Sequence, residues 1–152
     1  MLHRDYDGQT CSIARTLEVV GERWTLLVLR EALAGTRRFD EFQAKLGIAR
    51  NVLQTRLTRL VDDGVLERRL YQERPERYEY VLTPAGRDLL PVLIALMRWG
   101  DAHRAPDGPP TLIRHAGCGG DVTAAMTCER CGAALVPREL ELAAGPGALA
   151  PA

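Results

Sequence analysis

Four side chains near the C-terminus have the types and the spacing of metal ligands. His115 pairs with Cys118 and Cys128 pairs with Cys131, with two residues inside each pair and nine between the pairs. Zinc prefers thiolate sulfur and imidazole nitrogen, and four such ligands complete its tetrahedral coordination. A glycine follows the second ligand of each pair, so the backbone can turn its amides toward the sulfurs. The pattern predicts one structural Zn²⁺ site, without an open position for a substrate.

The same cysteines allow two other interpretations. Cys128 and Cys131 alone would make a redox-active pair, or the segment would be a tail without metal. Residues 112–142 contain little apolar surface, so a bound metal would have to supply the energy that folds them. We expect a zinc-ribbon-like module over residues 112–142, with support of an interface and contact with another protein as its two candidate roles.

A second group of candidate residues lies on a predicted helix from Arg50 to Asp63. Its apolar side chains recur at helical spacing and form one buried side. Three polar side chains point directly away from that side and three flank them: Asn51, Thr55 and Arg59, and then Arg50, Gln54 and Arg56. Amide, hydroxyl and guanidinium groups read base edges or hold phosphates in protein–DNA complexes. The alternative is an ordinary solvated helix surface.

Two strand-like runs follow this helix, Leu66–Tyr71 and Tyr78–Leu82, and the second alternates as a half-buried hairpin does. The tip between them carries Arg74 and Arg77, each beside a glutamate. The alternatives are an ion-paired loop and a contact with the DNA backbone, and we favour the contact. A helix followed by a two-stranded ribbon with a charged tip is the order of parts in a winged helix-turn-helix, which indicates double-stranded DNA as the partner.

The remaining elements must position these groups. Helical spacing predicts helices over Ser12–Val20, Glu22–Ala34 and Glu41–Leu46, the last of them capped by Asp40. Thr83 and Pro84 predict the start of another helix, which would run to about His103 with a kink at Pro91. Nearly every residue from Leu89 to Trp99 is apolar, so this helix needs cover on more than one side, and a second copy of the chain would provide it.

Composition limits the functions that the chain can have. The 152 residues include 20 basic and 20 acidic side chains, so attraction to DNA must come from locally placed charges. There is no apolar signal core and no run long enough to span a membrane, so we expect a cytoplasmic protein. The sequence offers no nucleophile–base pair, no phosphate-binding glycine loop and no open metal site, and therefore does not predict an enzyme.

Residues 11–102 closely resemble the HxlR family of bacterial winged-helix regulators, relatives of the MarR group. The segments that carry the resemblance are Cys11-Ser12-Ile13-Ala14, Gly21-Glu22-Arg23-Trp24-Thr25-Leu26-Leu27-Val28-Leu29-Arg30, Arg38-Phe39-Asp40-Glu41-Phe42, Leu53-Gln54-Thr55-Arg56-Leu57, Asp63-Gly64-Val65-Leu66, and Tyr78-Glu79-Tyr80 with Leu82-Thr83. The resemblance implies a homodimer built from terminal helices that binds a pseudo-palindromic operator through two major grooves. Many members have Ser or Thr where this chain has Ala49, which cannot cap the recognition helix. The first amides of that helix would then be left for a phosphate.

Cys11 matches a cysteine of this family that senses electrophiles or oxidants in some members. A thiol at a helix N-terminus has a lowered pKa, because the helix dipole stabilises the thiolate. The alternative is a small residue packed near the dimer interface, since residues 1–104 contain no second cysteine that could react with an oxidised Cys11. Both interpretations stay open, and an oxidant or a small molecule is a candidate effector.

The sequence thus predicts an α+β, mostly α, winged helix-turn-helix domain over residues 1–104 with dimerising terminal helices. A linker at 105–111, the zinc-ribbon-like module at 112–142 and a disordered tail at 143–152 would follow. The predicted function is transcriptional regulation, with repression by occupying a promoter favoured over activation. The alternative is a redox or electrophile sensor that acts through Cys11 or through the cluster of Cys118, Cys128 and Cys131.

Overall fold

A computed structural model of the chain describes residues 11–147. The chain divides into two compact units, with the boundary in sequence between Leu90 and Pro91. The regular elements are, in order, α1 (Ser12–Val20), α2 (Arg23–Leu33), α3 (Phe39–Leu46), α4 (Arg50–Asp62), β1 (Leu66–Glu73), β2 (Glu76–Leu82), α5 (Pro84–Arg87), α6 (Leu90–Arg104) and a short 3₁₀ turn (Pro137–Glu139). From α1 to β2 the predicted elements are present in the predicted order, and the fold is a mostly helical winged helix-turn-helix.

The core of the first unit is formed by apolar side chains that α2, α3, α4 and β1 direct to one centre. The most completely buried are Val28, Leu29, Phe42, Leu53, Leu57, Leu60 and Leu66. Burying one leucine or phenylalanine stabilises a fold by about 1.5–3 kcal/mol, so this cluster fixes the orientation of α4. The polar residues of α4 therefore face outward because its leucines face inward.

The helix-turn-helix consists of α3, a tight turn and α4. Gly47 ends α3 in the left-handed conformation, with φ at 60°, which a side chain at that position would disfavour. Asp40 does not cap α3 as predicted, because the helix begins at Phe39, two residues before the predicted start at Glu41. The capping acceptor is instead the Glu41 carboxylate, which accepts the backbone N–H of Arg38 at 3.3 Å.

The wing consists of the antiparallel strands β1 and β2, which pair from Leu66 opposite Leu82 to Glu73 opposite Glu76. The strands extend further toward the tip than predicted, and the pairing register shifts at Tyr71. The segment before α3 joins this ribbon, because Tyr80 N–H donates to the Arg37 carbonyl at 2.8 Å. The wing is thereby attached to the start of the helix-turn-helix.

A single helix from Pro84 to His103 was the prediction, and it is wrong: α5 ends at Arg87 and α6 begins at Leu90. Pro91 has no N–H for the preceding turn and its ring would collide with that turn, so the expected kink becomes a break. Thr83 caps α5 as predicted, because its hydroxyl accepts the Gly86 N–H at 3.1 Å. Gly86 is buried so close to the Val65 carbonyl that a Cβ atom would collide with it.

The second unit contains α6 and, after it, two short hairpin turns. The structure describes residues 143–147 of the predicted disordered tail, which form no helix or strand, whereas 148–152 lie outside the described residues. Residues 1–10 of the predicted winged-helix domain also lie outside them. Within residues 11–147, no helix has the length and apolar character needed to cross a membrane.

Candidate nucleic-acid interface

The outward face of α4 is polar and accessible. Asn51, Gln54 and Thr55 are exposed, and Thr58 extends the same face by one turn. Gln54 Nε2 donates to the Thr58 hydroxyl at 3.2 Å, while the Thr55 hydroxyl donates to the Asn51 carbonyl at 2.9 Å. These short-range bonds leave the Asn51 amide and the Gln54 carbonyl oxygen available to an incoming partner. The face can therefore both donate and accept hydrogen bonds.

Arg50 stands at the first position of α4, where its guanidinium lies 4.7 Å from the centre of the Phe39 ring and 3.9 Å from an Asp40 oxygen. The ring contact holds a mostly exposed cation beside the beginning of the helix. Ala49, the N-cap residue, provides no side-chain hydrogen bond, as predicted. Free amides and an adjacent guanidinium together form an environment that suits a phosphate.

Arg56 and Arg59 are placed differently from the other four residues of α4 that were predicted to contact DNA. Arg56 is only 17% exposed, and its guanidinium lies 3.8 Å from the Glu22 carboxylate. Arg59 was predicted to point directly away from the core, but its Nη2 donates to the Glu18 backbone carbonyl at 3.0 Å. It also lies 3.8 Å from the Asp63 carboxylate. Arg59 thus attaches α4 to the last turns of α1, and Arg56 lies beside the residue that precedes α2.

The predicted wing residues, Arg74 and Arg77, are exposed at the tip. Among the residues that the structure describes, neither guanidinium has a carboxylate within ion-pair distance, although Glu73 and Glu76 are their neighbours. Glu76 instead accepts a hydrogen bond from the Tyr78 hydroxyl at 2.9 Å, which raises the pKa of that hydroxyl. The tip therefore presents two unpaired positive charges.

Three further arginines of this region were not among the predicted site residues. Arg68 stacks 3.5 Å from the centre of the Tyr78 ring, and Arg38 lies 4.8 Å from that of Tyr71. Arg69 Nη2 donates to the Glu67 carboxylate at 2.9 Å, and this bond lowers the pKa of Glu67. Two adjacent arginines, Arg68 and Arg69, in a strand-like run could have indicated positive charge on the wing. Side chains alternate along a strand, so one of the two lies on each side of the ribbon.

Comparison with known proteins identifies this arrangement. A sequence model of the HxlR-like helix-turn-helix family matches residues 19–107, more than half of the chain. The chain belongs to this family. Rv3095, an uncharacterised HTH-type transcriptional regulator of Mycobacterium tuberculosis, is 46% identical to it over 146 residues, which are 95% of this chain and 90% of the relative. The HxlR resemblance is confirmed, and the chain is a DNA-binding transcriptional regulator.

Two solved structures show how far the likeness extends. The crystal structure of PA1607, a protein assigned as a transcription factor, has a TM-score of 0.80 at 34% identity and covers 90% of this chain and 96% of its own. The redox regulator HypR, in its reduced form, has a TM-score of 0.58 at 31% identity and covers 62% of this chain and 95% of its own. HypR therefore matches a smaller share of this HxlR-family chain than PA1607 does.

Cys11 is the N-cap residue of α1 and is exposed. The backbone amides of Ala14 and then Ile13 lower the pKa of its thiol, as predicted for a helix N-terminus. Nearby on α1, Ile13 is 71% exposed and Leu17 is also exposed, which is unusual for side chains of their size. In this HxlR-family chain, a thiol with a lowered pKa at the N-cap thus lies close to two exposed apolar side chains of α1.

The four predicted zinc ligands are brought together as two pairs. His115 Nδ1 lies 3.3 Å from Cys118 Sγ, and the Cys128 and Cys131 side chains also contact each other. Across residues 11–147, no three His, Cys, Asp or Glu side chains are grouped so that they could hold a metal ion. The single four-ligand site therefore stays a prediction.

Proposed function

We propose that the chain is a repressor that binds a pseudo-palindromic operator as a homodimer, with α4 of each copy in a major groove. The observation that carries the proposal is the exposed row of Asn51, Gln54, Thr55 and Thr58 on α4, beside a wing whose tip has two unpaired arginines. Family membership supports DNA binding itself. Repression, the dimer and the individual contacts are the proposed part.

Each side chain has a role in this proposal that follows from its chemistry. Asn51 and Gln54 read bases, because carboxamides make paired hydrogen bonds with adenine edges. Thr55 and Thr58 contact base or phosphate through their hydroxyls. Arg50 and the first amides of α4 hold one phosphate, whereas Arg74 and Arg77 contact the backbone beside the wing.

Arg56 and Arg59 take a mixed role. Their partners, Glu18 of α1 and Glu22 before α2, keep α4 fixed against these two helices. Arg59 remains 51% exposed, so one edge of its guanidinium is available to a phosphate while the other stays bound to the protein. Arg56, mostly covered, acts by positioning the helix.

A second copy of the chain is the proposed cover for two apolar surfaces. On α1 these are the exposed Ile13 and Leu17, and on α6 they are Val92, Leu96 and Trp99, spaced as one helical stripe. Water-exposed apolar side chains in such rows are typical of interfaces between subunits. A dimer would place two α4 helices about 34 Å apart, one turn of B-DNA.

Occupying a promoter needs no catalysis, and we propose that the protein is not an enzyme. We also propose that it works in the cytoplasm, where bacterial DNA is found.

The proposed DNA contacts of α4 are tested by measuring binding to a labelled operator fragment by fluorescence anisotropy. Asn51→Ala and Gln54→Ala should each weaken binding by about 5–150-fold, which corresponds to about 1–3 kcal/mol per base contact, without changing the melting temperature.

Thr55→Ala and Thr16→Ala form a matched pair for the same assay. Both threonines are exposed on helices, and both donate to the carbonyl four residues earlier, at 2.9 and 2.8 Å. Only Thr55 lies on α4, so only its replacement should reduce affinity for the operator. Light scattering of both variants checks that they have the same oligomeric state. Equal affinity of wild type and all α4 variants would refute the proposed face.

The second candidate function is thiol sensing through Cys11, favoured by its exposure at the start of α1 and by the amides that lower its pKa. A lowered pKa keeps the thiolate populated at lower pH, so alkylation of Cys11 should remain fast at a pH where ordinary cysteines have slowed. Diamide should then release wild-type protein from DNA but not Cys11→Ser. The same release from both proteins would remove the sensor role from Cys11 and leave the other three cysteines to be tested.

A further inference from the structure

We propose that His115, Cys118, Cys128 and Cys131 bind one Zn²⁺ per chain, and that this metal joins the two hairpin turns of the second unit. The four residues belong to the second unit whereas α4 and the wing belong to the first, and zinc binding does not depend on the proposed repressor function. It rests on three features of residues 113–135: a repeated backbone geometry, the identity of the residues at equivalent positions, and the absence of a buried core.

The two hairpin turns are structural repeats. In the first, residues 113–122, the Gly119 N–H donates to the His115 carbonyl at 2.8 Å and the Val122 N–H donates to that of Ile113 at 2.9 Å. Thirteen residues later the second turn, residues 126–135, makes the same bonds, from Gly132 to Cys128 at 2.8 Å and from Leu135 to Met126 at 2.9 Å. Each turn also closes with one isolated β-bridge at the equivalent place.

The repeat places the candidate ligands at equivalent positions. His115 corresponds to Cys128, and Cys118 corresponds to Cys131. Gly119 and Gly132 follow the second ligand of each turn, with φ at 72° and 71°, a conformation that favours glycine. In the second turn the amides of Arg130 and Cys131 point at the Cys128 sulfur, as amides do in zinc sites with thiolate ligands.

This equivalence favours zinc over a redox-active cysteine pair. A disulfide would use only the second turn, because the first has one cysteine and one histidine. Zinc would use both turns, since it binds imidazole and thiolate alike and takes four ligands in structural sites. Each turn supplies two ligands, so neither turn completes a site without the other.

The second unit also lacks the usual means of holding two turns together. Among the described residues 105–147 none is buried, and Ile113, Val122 and Leu135 are only half-buried. A segment without a core folds when a metal links its parts. The connection between Cys118 and Cys128 is nine residues long and spans up to about 30 Å when extended, so it allows the two turns to meet at one ion.

The test uses the full chain, purified without chelator and without a histidine tag, and measures zinc by inductively coupled plasma mass spectrometry. About one zinc per chain is expected. His115→Ala and Cys131→Ser should lose most of it, whereas Cys11→Ser, which removes an exposed thiol outside the turns, should keep it. The melting temperature of each variant's DNA-binding unit shows whether that unit remains folded.

Cobalt provides the second measurement. Co²⁺ added to metal-free protein should give the visible absorption of tetrahedral cobalt and the thiolate charge-transfer band, and His115→Ala should weaken both. A zinc content well below one per chain together with no cobalt spectrum would overturn the proposal. So would a His115→Ala variant that retains full zinc.

Discussion

The two units of this chain hold their shapes by different means. In the first, seven apolar side chains are almost completely buried, and they come from helices and a strand that are far apart in sequence. In the second, the described residues after α6 contain no buried side chain, and hydrogen bonds within two short turns define the backbone. One unit is organised by a hydrophobic core, and we propose that the other is organised by a metal.

This difference explains what each unit can do. DNA reading requires side chains held in place to within a fraction of an ångström, and a packed core provides that rigidity. A metal-joined module can stay small, and its geometry depends on four ligands rather than on packing. HypR matches 62% of the chain whereas Rv3095 matches 95%, so relatives differ in how much of the chain they share.

The largest expected effect comes from the core of the first unit. Leu57→Ala should lower the free energy of unfolding by about 2–5 kcal/mol, because Leu57 is fully buried beneath the DNA-binding face of α4. Leu142→Ala, at an exposed position of the second unit, is the matched control and should change stability by less than about 0.5 kcal/mol. Urea unfolding followed by circular dichroism measures both. Similar losses for the two variants would mean that the units do not differ as described.

Metal removal should affect only the second unit. After treatment with a strong chelator, the amides of Gly119, Cys128 and Gly132 should lose their protection against hydrogen exchange, because no buried side chain among residues 105–147 supports the hydrogen bonds that close the turns. Amides around Leu29 and Leu57 should keep theirs. Hydrogen-exchange mass spectrometry distinguishes the two sets, and loss of protection in both would show that the units fold as one.

Arg59→Ala should produce a smaller, mixed effect. Losing the bond to the Glu18 carbonyl should reduce stability by about 0.5–1.5 kcal/mol, toward the low end because Arg59 is half exposed. Operator affinity should also fall. Asn51→Ala should reduce affinity alone, so the pair separates positioning of α4 from reading of bases. A fall in affinity without any change in melting temperature for Arg59→Ala would make it a direct DNA contact only.

The smallest effect is expected at the wing tip. Arg77→Ala should make the dependence of log affinity on log salt less steep by about one unit, since one phosphate contact is lost. Arg30→Ala removes the same charge from an arginine already paired with Glu31 at 2.7 Å on α2, and should leave the slope unchanged. Titrations at several salt concentrations measure both slopes. Identical slopes for wild type and Arg77→Ala would place the tip away from the DNA.

Local patterns were enough to predict most of the first unit. The spacing of Leu53, Leu57 and Leu60 predicted which side of α4 is buried, and Thr83 with Pro84 predicted the start of α5. The turn glycines and the wing also followed from nearby residues. These features depend on interactions within a few positions along the chain, which a sequence displays directly.

Long-range partners were not predictable in the same way. Arg59 is held by Glu18, 41 positions earlier, and no local pattern connects the two. Whether Asp40 or Glu41 caps α3 depends on the residue at which the helix begins. The break before α6 depends on how the backbone accommodates Pro91. The spacing of His115, Cys118, Cys128 and Cys131 predicted two pairs of neighbouring ligands. It does not predict how far apart the two pairs lie in the fold.

The central claim is that two copies of α4 and the wing, and not the second unit, bind an operator. Hydroxyl-radical footprinting of the wild-type protein at a genomic site it occupies, beside an Asn51→Ala, Gln54→Ala double variant, tests this directly. We predict two protected tracts related by a pseudo-two-fold and centred about 10 base pairs apart, both lost in the double variant. A single protected tract, or full protection by the double variant with an unchanged melting temperature, would contradict the account.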